Sequence, residues 1–461
     1  MPKVSVIMPS LNVVVYIQEC MDSVIGQTLK DLEILCIDAG STDGTWEILE
    51  EYAKKDNRIK LIKSTKKSYG YQMNLGLKEA SGKYIGIVET DDYILPETYE
   101  ELYIYAEENN ADFVKADFDV FTSRQDGERL FLKFSMKKYS NVKYHTIFSA
   151  KDYVNSKQTI DVFIWNGIYK RDFLRDNQIL FQETPGAAFQ DCGFRYQVAL
   201  CVKRGFFVDG SYYRYRRDNI NSSTYNSRCV LFNLAECKYL LSIVQSKSGI
   251  CREQMRFLAR EIAIIALRPY VELLQYGRPA EGTKEALEEF RIILIDFLEQ
   301  DILEQSSIAP DVWLEIKMFV EKPDFYDYYA RLKASIAKTA VQNFLENIAE
   351  KEHVVIFGSG YVGSCAYCMI RNNGVENVAA FCDNAQSKWG NMHMGCPVVS
   401  PEDAIGQFPE AYFIIANAVH SDEIQEQLIS YGVPRQRIAA YSLSTFPLDC
   451  TNMTMRFAEE L

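Results

Sequence analysis

The chain has 461 residues, with 50 Lys and Arg against 63 Asp and Glu, so its formal net charge is −13. At roughly 100–200 residues per domain, this length predicts several domains, each large enough to bury a core. The acidic excess argues against a nucleic-acid partner, because sequence-independent binding of that kind needs a basic surface that displaces counterions.

No apolar stretch approaches the roughly 20 residues that span a bilayer. Pro9 interrupts the first apolar run, so we interpret residues 1–9 as a first β-strand and not as an export signal. The 12 cysteines are too dilute for a disulfide scaffold, which makes a reducing cytoplasm the expected location. Peripheral contact with the inner face of the membrane stays open.

Residues 1–118 alternate short apolar strands with helical patterns. Strands are predicted at Val4–Met8, Leu32–Ile37, Ile59–Ile62, Tyr84–Val88 and Phe113–Ala116, and helices near Val14–Gln27, Thr45–Lys55, Gln72–Ala80 and Pro96–Asn109. Alternation of this kind predicts βαβ units and a mostly parallel sheet in an α/β fold. Such sheets bind ligands at the carboxyl ends of their strands.

The rest of the chain changes character twice. Residues 119–224 are rich in aromatic side chains and show irregular patterns, whereas apolar residues recur at helical spacing from about Cys229 to Glu350. At His353 an apolar strand signals a second α/β domain. The predicted organisation is therefore a first domain over 1–224, a helical segment over 225–350 and a Rossmann-like domain over 351–461.

The second predicted strand ends in the motif Ile37–Thr45, which contains Asp38 followed by a Gly-Ser-Thr-Asp-Gly run. One interpretation is a strand-to-helix loop whose Ser41, Thr42 or Asp43 caps the next helix. That interpretation leaves Asp38 unexplained. A carboxylate at the end of a strand can also accept a hydrogen bond from the imide N–H of a pyrimidine base.

Three carboxylates follow the fourth predicted strand within four residues: Glu89, Asp91 and Asp92. Such a cluster repels itself unless a positive charge lies among its members. A hard divalent cation, shared with substrate phosphates, satisfies this requirement. Helix capping before Pro96 is the simpler alternative, and the local chemistry favours the metal site.

These segments occur in an order and spacing that resembles the family 2 glycosyltransferases of the GT-A fold. The resemblance covers about residues 1–224 and also includes Val4–Asn12, Asn74–Gly76 and Ser81–Ile85. It implies a nucleotide-sugar donor, usually a UDP-sugar, a Mn²⁺ or Mg²⁺ ion on a DxD-type motif, and inversion at the anomeric carbon.

The resemblance also assigns roles to individual residues. Donor-binding positions are Pro9, Asn12, Asp38, Asn74 and Asp91, and the metal-binding positions are Glu89, Asp91 and Asp92, with Asp92 the favoured direct ligand. The chain departs from the family pattern at Ala39 (frequently an acid), Met73 (often Arg) and Glu89 (frequently Asp).

A further acid, Asp191, lies about 100 residues after the carboxylate cluster. Members of this family usually carry a general base here, often within a Glu-Asp pair, and Gln190 replaces the Glu in this chain. Inverting transfer requires a carboxylate to deprotonate the acceptor hydroxyl. Capping of the following helix is a compatible alternative. Downstream, Tyr213–Arg217 with Ser222–Thr224 resembles the closing segment of this family. Arg216 or Arg217 would stabilise the departing diphosphate there, and a solvated basic face is the alternative.

The C-terminal domain carries a Gly-x-Gly-x-x-Gly motif, Gly358, Gly360 and Gly363, between a predicted strand and helix, and Asp383 follows 20 residues later. This context fits a phosphate bound at a helix N-terminus, so a second nucleotide site is predicted as an alternative to an unliganded structural domain. The surrounding sequence resembles the small Rossmann-like domains attached to bacterial sugar transferases and shows no Tyr-x-x-x-Lys pair for hydride chemistry.

Together these observations favour a metal-dependent inverting glycosyltransferase. Its donor would be a nucleotide sugar, and its acceptor a hydroxyl of a glycan or lipid-linked molecule in bacterial surface polysaccharide synthesis. The alternative is a non-catalytic nucleotide-binding or scaffold protein with a degenerate transferase domain. An oxidoreductase run by the C-terminal domain is disfavoured, and self-association stays open.

Overall fold

The computed structural model describes residues 1–123, 127–137, 143–155, 163–187, 189–219, 226–247, 249–277, 279–417 and 419–441. The chain forms two compact units. One comprises Met1–Phe118, Ser135–Tyr215 and Asn219–Ala330, and the other comprises Asp119–Phe134, Arg216–Asp218 and the chain from Arg331 onward. The division after residues 224 and 350 stays a prediction, and the first of these boundaries, like Ser222–Thr224, lies outside the described residues.

Strands and helices alternate through the first half of the chain. In chain order they are β1 (Val4–Ser10), α1 (Ile17–Ile25), β2 (Leu32–Asp38), α2 (Thr45–Lys55), β3 (Ile59–Lys63), α3 (Tyr69–Glu79), β4 (Tyr84–Ile87), β5 (Tyr93–Ile94), α4 (Thr98–Glu108), β6 (Phe113–Ser123), β7 (Arg129–Phe134), α5 (Ala150–Asn155), β8 (Gly167–Lys170), α6 (Arg171–Asp176), α7 (Gln190–Cys201) and β9 (Gly205–Arg216).

The main sheet has the strand order β3-β2-β1-β4-β8-β6-β9-β5, and β7 pairs with β6. The strands β3, β2, β1 and β4 are mutually parallel, whereas β8 runs antiparallel to both β4 and β6. Every residue of β1 and β2 is buried, as expected for parallel strands covered on both faces. The predicted mixed α/β sheet is thus confirmed, but its parallel part is limited to β3, β2, β1 and β4, because β8 pairs antiparallel with β4 and β6, and β5 with β9.

The elements of residues 1–118 lie close to their predicted positions, except that the short strand β5 was not predicted, and α2 has the predicted bounds. The prediction of an irregular stretch over 119–224 was wrong in part. Its described residues contain β7, β8, β9 and α7. Periodicity did not reveal β9 because it buries half of its 12 residues without a regular alternation.

Strand register brings the predicted site residues to one edge of the sheet. Ser10 at the end of β1 pairs with Asp38 at the end of β2, and Ile7 pairs with Ile87 at the end of β4. Glu89 follows β4 by two residues, so the loops that begin at Ser10, Asp38 and Glu89 leave the sheet side by side.

Glu33 ties together the opposite edge of this sheet. Its buried carboxylate accepts hydrogen bonds from Ser5, Lys60 and Ser81. Burial opposes ionisation, but these donors outweigh it and lower the pKa of Glu33 to about 2. The carboxylate therefore joins β1, β3 and the turn before β4 in its ionised form.

We expect Glu33→Gln to lower the free energy of unfolding by about 1–3 kcal/mol at neutral pH, because Gln keeps the shape but loses charge-assisted bonds. A carboxyl whose pKa is depressed by folding stabilises the protein above its unfolded pKa, and this contribution disappears as the pH falls through the folded pKa. Urea unfolding of both proteins between pH 7 and 3 should show the difference shrinking below about pH 4.5. A difference that does not change with pH would contradict this account.

Helices follow the main sheet: α8 (Cys229–Ser246), α9 (Arg252–Tyr276), α10 (Thr283–Glu299), α11 (Pro310–Glu321) and α12 (Pro323–Ala349). In the first unit, α8 packs against α7, α9 and α10 around a core that includes Leu234, Ile262, Phe290 and Phe319. None of the described helices combines the length and apolar character needed to cross a membrane.

The second unit contains a smaller sheet with the order β12-β13-β11-β10-β14-β15. Its elements are β10 (Val354–Phe357), α13 (Tyr361–Asn372), β11 (Val378–Cys382), β12 (Met392–His393), β13 (Cys396–Val399), α14 (Pro401–Gln407), β14 (Tyr412–Ile415), α15 (Ser421–Ser430) and β15 (Ile438–Ala440). All pairings are parallel except that of β12 with β13, which confirms a second α/β domain.

Candidate active site

Asp38 organises the loop that follows β2. Its Oδ1 accepts the backbone N–H groups of Gly40 and Ser41, both at 2.8 Å, and its Oδ2 accepts the hydroxyls of Ser41 and Ser10 at 2.5 and 3.0 Å. A carboxylate offers about four acceptor positions, and this loop uses all four. Binding of a base by Asp38 therefore stays a prediction, and it requires one of these donors to leave.

The loop after β1 is held to the loop after β2 by reciprocal hydrogen bonds. Asn12 has a left-handed backbone (φ 54°), and its side-chain Oδ1 accepts the N–H of Thr42 at 2.9 Å, while its own N–H donates to Ser41 Oγ at 2.8 Å. Asp43 accepts the N–H groups of Val14 and Thr45, but the N-cap residue of α2 is Gly44 and no side chain caps this helix. The two loops thus form one rigid surface at the sheet edge.

Pro9 connects this surface to the carboxylate cluster. The hydroxyl of Thr90, which is buried, donates to the Pro9 carbonyl at 2.8 Å. Gln72 of α3 donates to the carbonyls of Ser10 and Ile37 and locks the ends of β1 and β2 together. Pro9, which was predicted to bind the sugar-nucleotide donor, therefore lies beside the turn that carries Glu89, Asp91 and Asp92.

The three clustered carboxylates each have an identified partner. Tyr69 Oη donates to Glu89 Oε1 at 2.6 Å, Asn219 Nδ2 to Asp91 Oδ2 at 2.9 Å, and Tyr213 Oη to Asp92 Oδ2 at 2.7 Å. Asp92 is 1% exposed, whereas Glu89 and Asp91 are partly exposed. The cluster thus combines one buried acidic residue with two that are partly exposed.

Sequence reasoning missed the residues that hold this cluster. Tyr213 on β9 not only donates to Asp92 but accepts the backbone N–H of Glu89 at 3.1 Å, so one hydroxyl fixes both ends of the turn. Its ring stacks on Trp165 with 4.1 Å between centroids. The signal was present in the aromatic run Tyr212–Tyr215, from which only the neighbouring arginines were singled out.

Asp191 lies in the first turn of α7, after Phe189, whose backbone is left-handed (φ 60°). Its negative charge acts on Glu89 and Tyr69, so the chain brings Asp191 close to the carboxylate cluster. Burial raises the pKa of Asp191, although the Arg195 guanidinium and nearby backbone N–H groups lower it. Gln190 is structural, since its side-chain amide donates to Thr184 and Gly186.

The donor set at this edge fits a hard divalent cation. Burial raises the pKa of Glu89 to about 8; the Tyr69 hydrogen bond opposes this shift, and the charges of Asp91 and Asp191 add to it. The negative charges of Asp91 and Asp191 therefore disfavour ionisation of Glu89, and a cation among these groups would favour it. Across the described ranges, no three His, Cys, Asp or Glu side chains form a ready-made metal site. Mg²⁺ is commonly bound by one or two carboxylates together with substrate phosphates, and this cluster can supply them.

Two residues that were predicted to bind the sugar-nucleotide donor form hydrogen bonds within the protein. Asn74 forms a reciprocal pair with the backbone of Phe181, accepting its N–H and donating to its carbonyl, both at 2.9 Å. In the second unit, the Arg216 guanidinium contacts Asp218 and Ser123 and stacks on Phe121, and the residue is 7% exposed. Donor or diphosphate binding by these two residues stays a prediction.

The glycine motif of the second unit forms a tight strand-to-helix turn. Asp383 accepts the N–H and hydroxyl of Ser359, the N–H of Ala385 and the Lys388 ammonium. These donors lower the pKa of Asp383 to about 2 despite partial burial, which opposes ionisation. Asp383 therefore organises this loop, and a second nucleotide site involving Gly358, Gly360 and Gly363 stays a prediction.

The last two glycines of this motif predict opposite mutational outcomes. A Cβ at Gly363 would lie 1.9 Å from the Gly358 carbonyl oxygen, whereas a Cβ at Gly360 would meet no atom within 4 Å. We expect Gly363→Ala to destabilise the protein by about 1–3 kcal/mol and Gly360→Ala to be nearly neutral. Thermal denaturation of the two variants would check this, and equal losses would contradict the close packing of α13 on β10.

The carboxyl edge of the main sheet thus brings together two interlocked loops, a carboxylate cluster and a further acid in the first turn of α7. Comparisons with known proteins identify the families of two segments. Residues 5–178 match the family model described as Glycosyl transferase family 2, and residues 350–439 match the model described as C2185-like, N-terminal.

Individual relatives extend this similarity. The glycosyltransferase EpsJ of Bacillus subtilis (strain 168) is 32% identical over 231 residues, which are 48% of this chain and 63% of EpsJ. EpsH of the same organism is 29% identical over 320 residues, or 67% of this chain and 88% of EpsH. The crystal structure of S. aureus TarS 1–349 has a TM-score of 0.53 and 17% identity, covering 74% of this chain and 91% of TarS 1–349.

The chain carries a glycosyltransferase family 2 domain with the GT-A fold, followed by a C2185-like domain. The chain spans less than two thirds of the length of EpsJ.

Proposed function

We propose that this protein is a metal-dependent inverting glycosyltransferase. It transfers a sugar from a nucleotide-diphosphate sugar, a UDP-sugar, to a hydroxyl of a glycan or lipid-linked acceptor in bacterial surface polysaccharide synthesis. The observation that carries the proposal is the grouping of Glu89, Asp91, Asp92 and Asp191 at the carboxyl edge of a family 2 GT-A sheet.

The donor class is supported by the sheet-edge geometry and by a relative. The interlocked loops after β1 and β2 end beside the carboxylate cluster, so a nucleotide on these loops would direct its diphosphate toward Asp91 and Asp92. S. aureus TarS, which shares the fold, has been crystallised in complex with UDP. The relatives also include the poly(ribitol-phosphate) β-glucosyltransferase of Bacillus spizizenii, which is 39% identical over 114 residues.

Asp91 and Asp92, with Glu89 beside them, would hold Mn²⁺ or Mg²⁺ together with the donor phosphates. When bound, the cation supplies Lewis-acid stabilisation of the leaving diphosphate. The protein itself positions these carboxylates through hydrogen bonds from Tyr213, Asn219 and Tyr69. A bound cation would offset the repulsion between them.

Asp191 would act as the general base. The acceptor oxygen forms a bond to the anomeric carbon while the bond from that carbon to the diphosphate oxygen breaks, and the hydroxyl proton passes to the Asp191 carboxylate. A base must hold this proton after the step, and burial, which raises the pKa of Asp191, favours the protonated form. The Arg195 guanidinium acts in the opposite direction and lowers this pKa.

A panel of nucleotide sugars tests the proposal. Thermal stabilisation is measured for each donor with and without Mn²⁺, and donor hydrolysis or transfer is followed by release of the nucleotide diphosphate. We expect one donor, a UDP-sugar, to stabilise the protein more strongly with the cation than without it, and to be turned over only with the cation. Stabilisation without turnover of any donor would favour the non-catalytic nucleotide-binding alternative, and the absence of any effect would favour a scaffold.

A further inference from the structure

A second acid contacts the helix that carries Asp191. Glu236 on α8 is 3% exposed, and neither of its carboxylate oxygens has a hydrogen-bond partner within 3.5 Å. It lies against the first turn of α7, where a Cβ on Gly193 would be only 2.5 Å from Glu236 Oε2. The missing side chain at Gly193 therefore makes room for this carboxyl group, two residues beyond Asp191.

The surroundings of Glu236 keep it neutral. A buried carboxylate without hydrogen bonds of regular geometry is costly, and the group avoids that cost by taking up a proton. Burial, with a contribution from the Asp191 charge, raises the pKa of Glu236 to about 9, although the Gly193 backbone N–H lowers it. At neutral pH, an uncharged carboxylic acid thus lies beside the candidate base.

The other ionisable groups around Glu236 do not compensate its charge. Cys192 on α7 and Cys237 and Tyr239 on α8 are affected by it, and burial raises the pKa of each of them. Arg195 of α7 bonds to Tyr196, Arg260 and Glu261 of α9 pair with each other, and Glu289 of α10 pairs with Lys238 on the outer side of α8. These cations therefore have anionic or hydroxyl partners of their own.

We propose that Glu236 is a positioning residue for Asp191, packed against the first turn of α7 in the space that Gly193 leaves. This inference rests on the proposed function for the role of Asp191. Ionisation of Glu236 at alkaline pH would place a second negative charge beside the base and push the first turn of α7 away, so transfer would fall.

The test is the pH profile of transfer by the full-length protein and by Glu236→Gln, which copies the shape and hydrogen-bonding capacity of the neutral acid but does not ionise. We expect the wild type to lose at least fivefold of its kcat between pH 8 and 10, and the variant to lose less than twofold. Glu285→Gln, an exposed glutamate on α10, is the matched control and should follow the wild type. Identical alkaline limbs in all three proteins would overturn the inference.

A second measurement does not depend on turnover. A carboxyl whose pKa is raised by folding contributes stability at low pH that is lost as the pH rises toward the folded pKa. The melting temperature of Glu236→Gln should therefore increase relative to the wild type from pH 5 to 9. A difference that stays constant with pH overturns the inference. Absence of wild-type transfer with every donor would instead count against the proposed function, whatever this stability measurement shows.

Discussion

Replacing Asp191 with Asn is expected to reduce transfer by about 10²–10⁴-fold, the range for loss of a general base, while leaving donor binding intact. The amide keeps the size of the side chain but cannot accept the acceptor's proton. Asp191 lies on the first turn of α7, whereas the nucleotide loops follow β1 and β2, so the substitution leaves those loops unchanged. The measurements are kcat for transfer and the donor dissociation constant by calorimetry with Mn²⁺.

The control for this experiment is Asp176→Asn at the end of α6, where the carboxylate is exposed and pairs with Arg175. It should keep wild-type transfer. Asp191→Asn with transfer within about tenfold of wild type would exclude Asp191 as the base. A loss of donor binding equal to the loss of transfer would instead assign Asp191 to donor binding.

Much of the fold could be predicted because its signals are local. Buried parallel strands appear as short continuous apolar runs, and the helices between them carry turn and capping residues, so β1 through α4 lay near their predicted positions. The carboxyl-edge rule then placed Asp38 and Glu89 together, since both follow parallel strands. The long strands β6 and β9 were harder, because their aromatic residues are buried on both faces and show no alternation.

The site was predicted less completely because its contacts join residues far apart in the sequence. The partners of Asp92 and Asp91, Tyr213 and Asn219, lie more than 120 residues downstream, and no local spacing links them. Asp38 presents a different difficulty, because most of its hydrogen-bond donors lie within the next three residues. A carboxylate at a strand end can either bind a ligand or hold its own loop in place. Residue type and sequence position do not distinguish these two roles, whereas the number of hydrogen-bond donors around the carboxylate does.

Glu236 on α8 also has a role that local sequence spacing does not reveal. Glu236 lies within an apolar helical pattern, where a glutamate is ordinarily solvent-exposed. Its burial follows from Gly193, 43 residues earlier, whose lack of a side chain leaves space for a carboxyl group. Small residues at a helix N-terminus therefore carry information about distant polar groups that periodicity alone does not reveal.

Replacing Asp92 with Asn is expected to remove most of the metal-dependent part of donor binding and to lower transfer by at least about 100-fold. An amide oxygen is a weaker ligand for a hard cation than a carboxylate and carries no charge to offset it. Metal-free binding of the nucleotide, which rests on the loops after β1 and β2, should remain. The measurement is UDP-induced thermal stabilisation with Mn²⁺, and again after chelation with EDTA, which should make the wild type resemble the variant.

Tyr213→Phe distinguishes direct metal binding by Asp92 from the orientation of Asp92 by its hydrogen bond to Tyr213. The substitution keeps the Asp92 carboxylate and the stacked ring on Trp165 but removes the 2.7 Å hydrogen bond from the Tyr213 hydroxyl. Loss of a residue that orients a metal ligand typically weakens metal affinity by about 10–100-fold. We therefore expect an intermediate effect, with more Mn²⁺ restoring donor binding in Tyr213→Phe but not in Asp92→Asn. Equal rescue of both variants would show that Asp92 orients the turn and that Asp91 or Glu89 is the principal ligand.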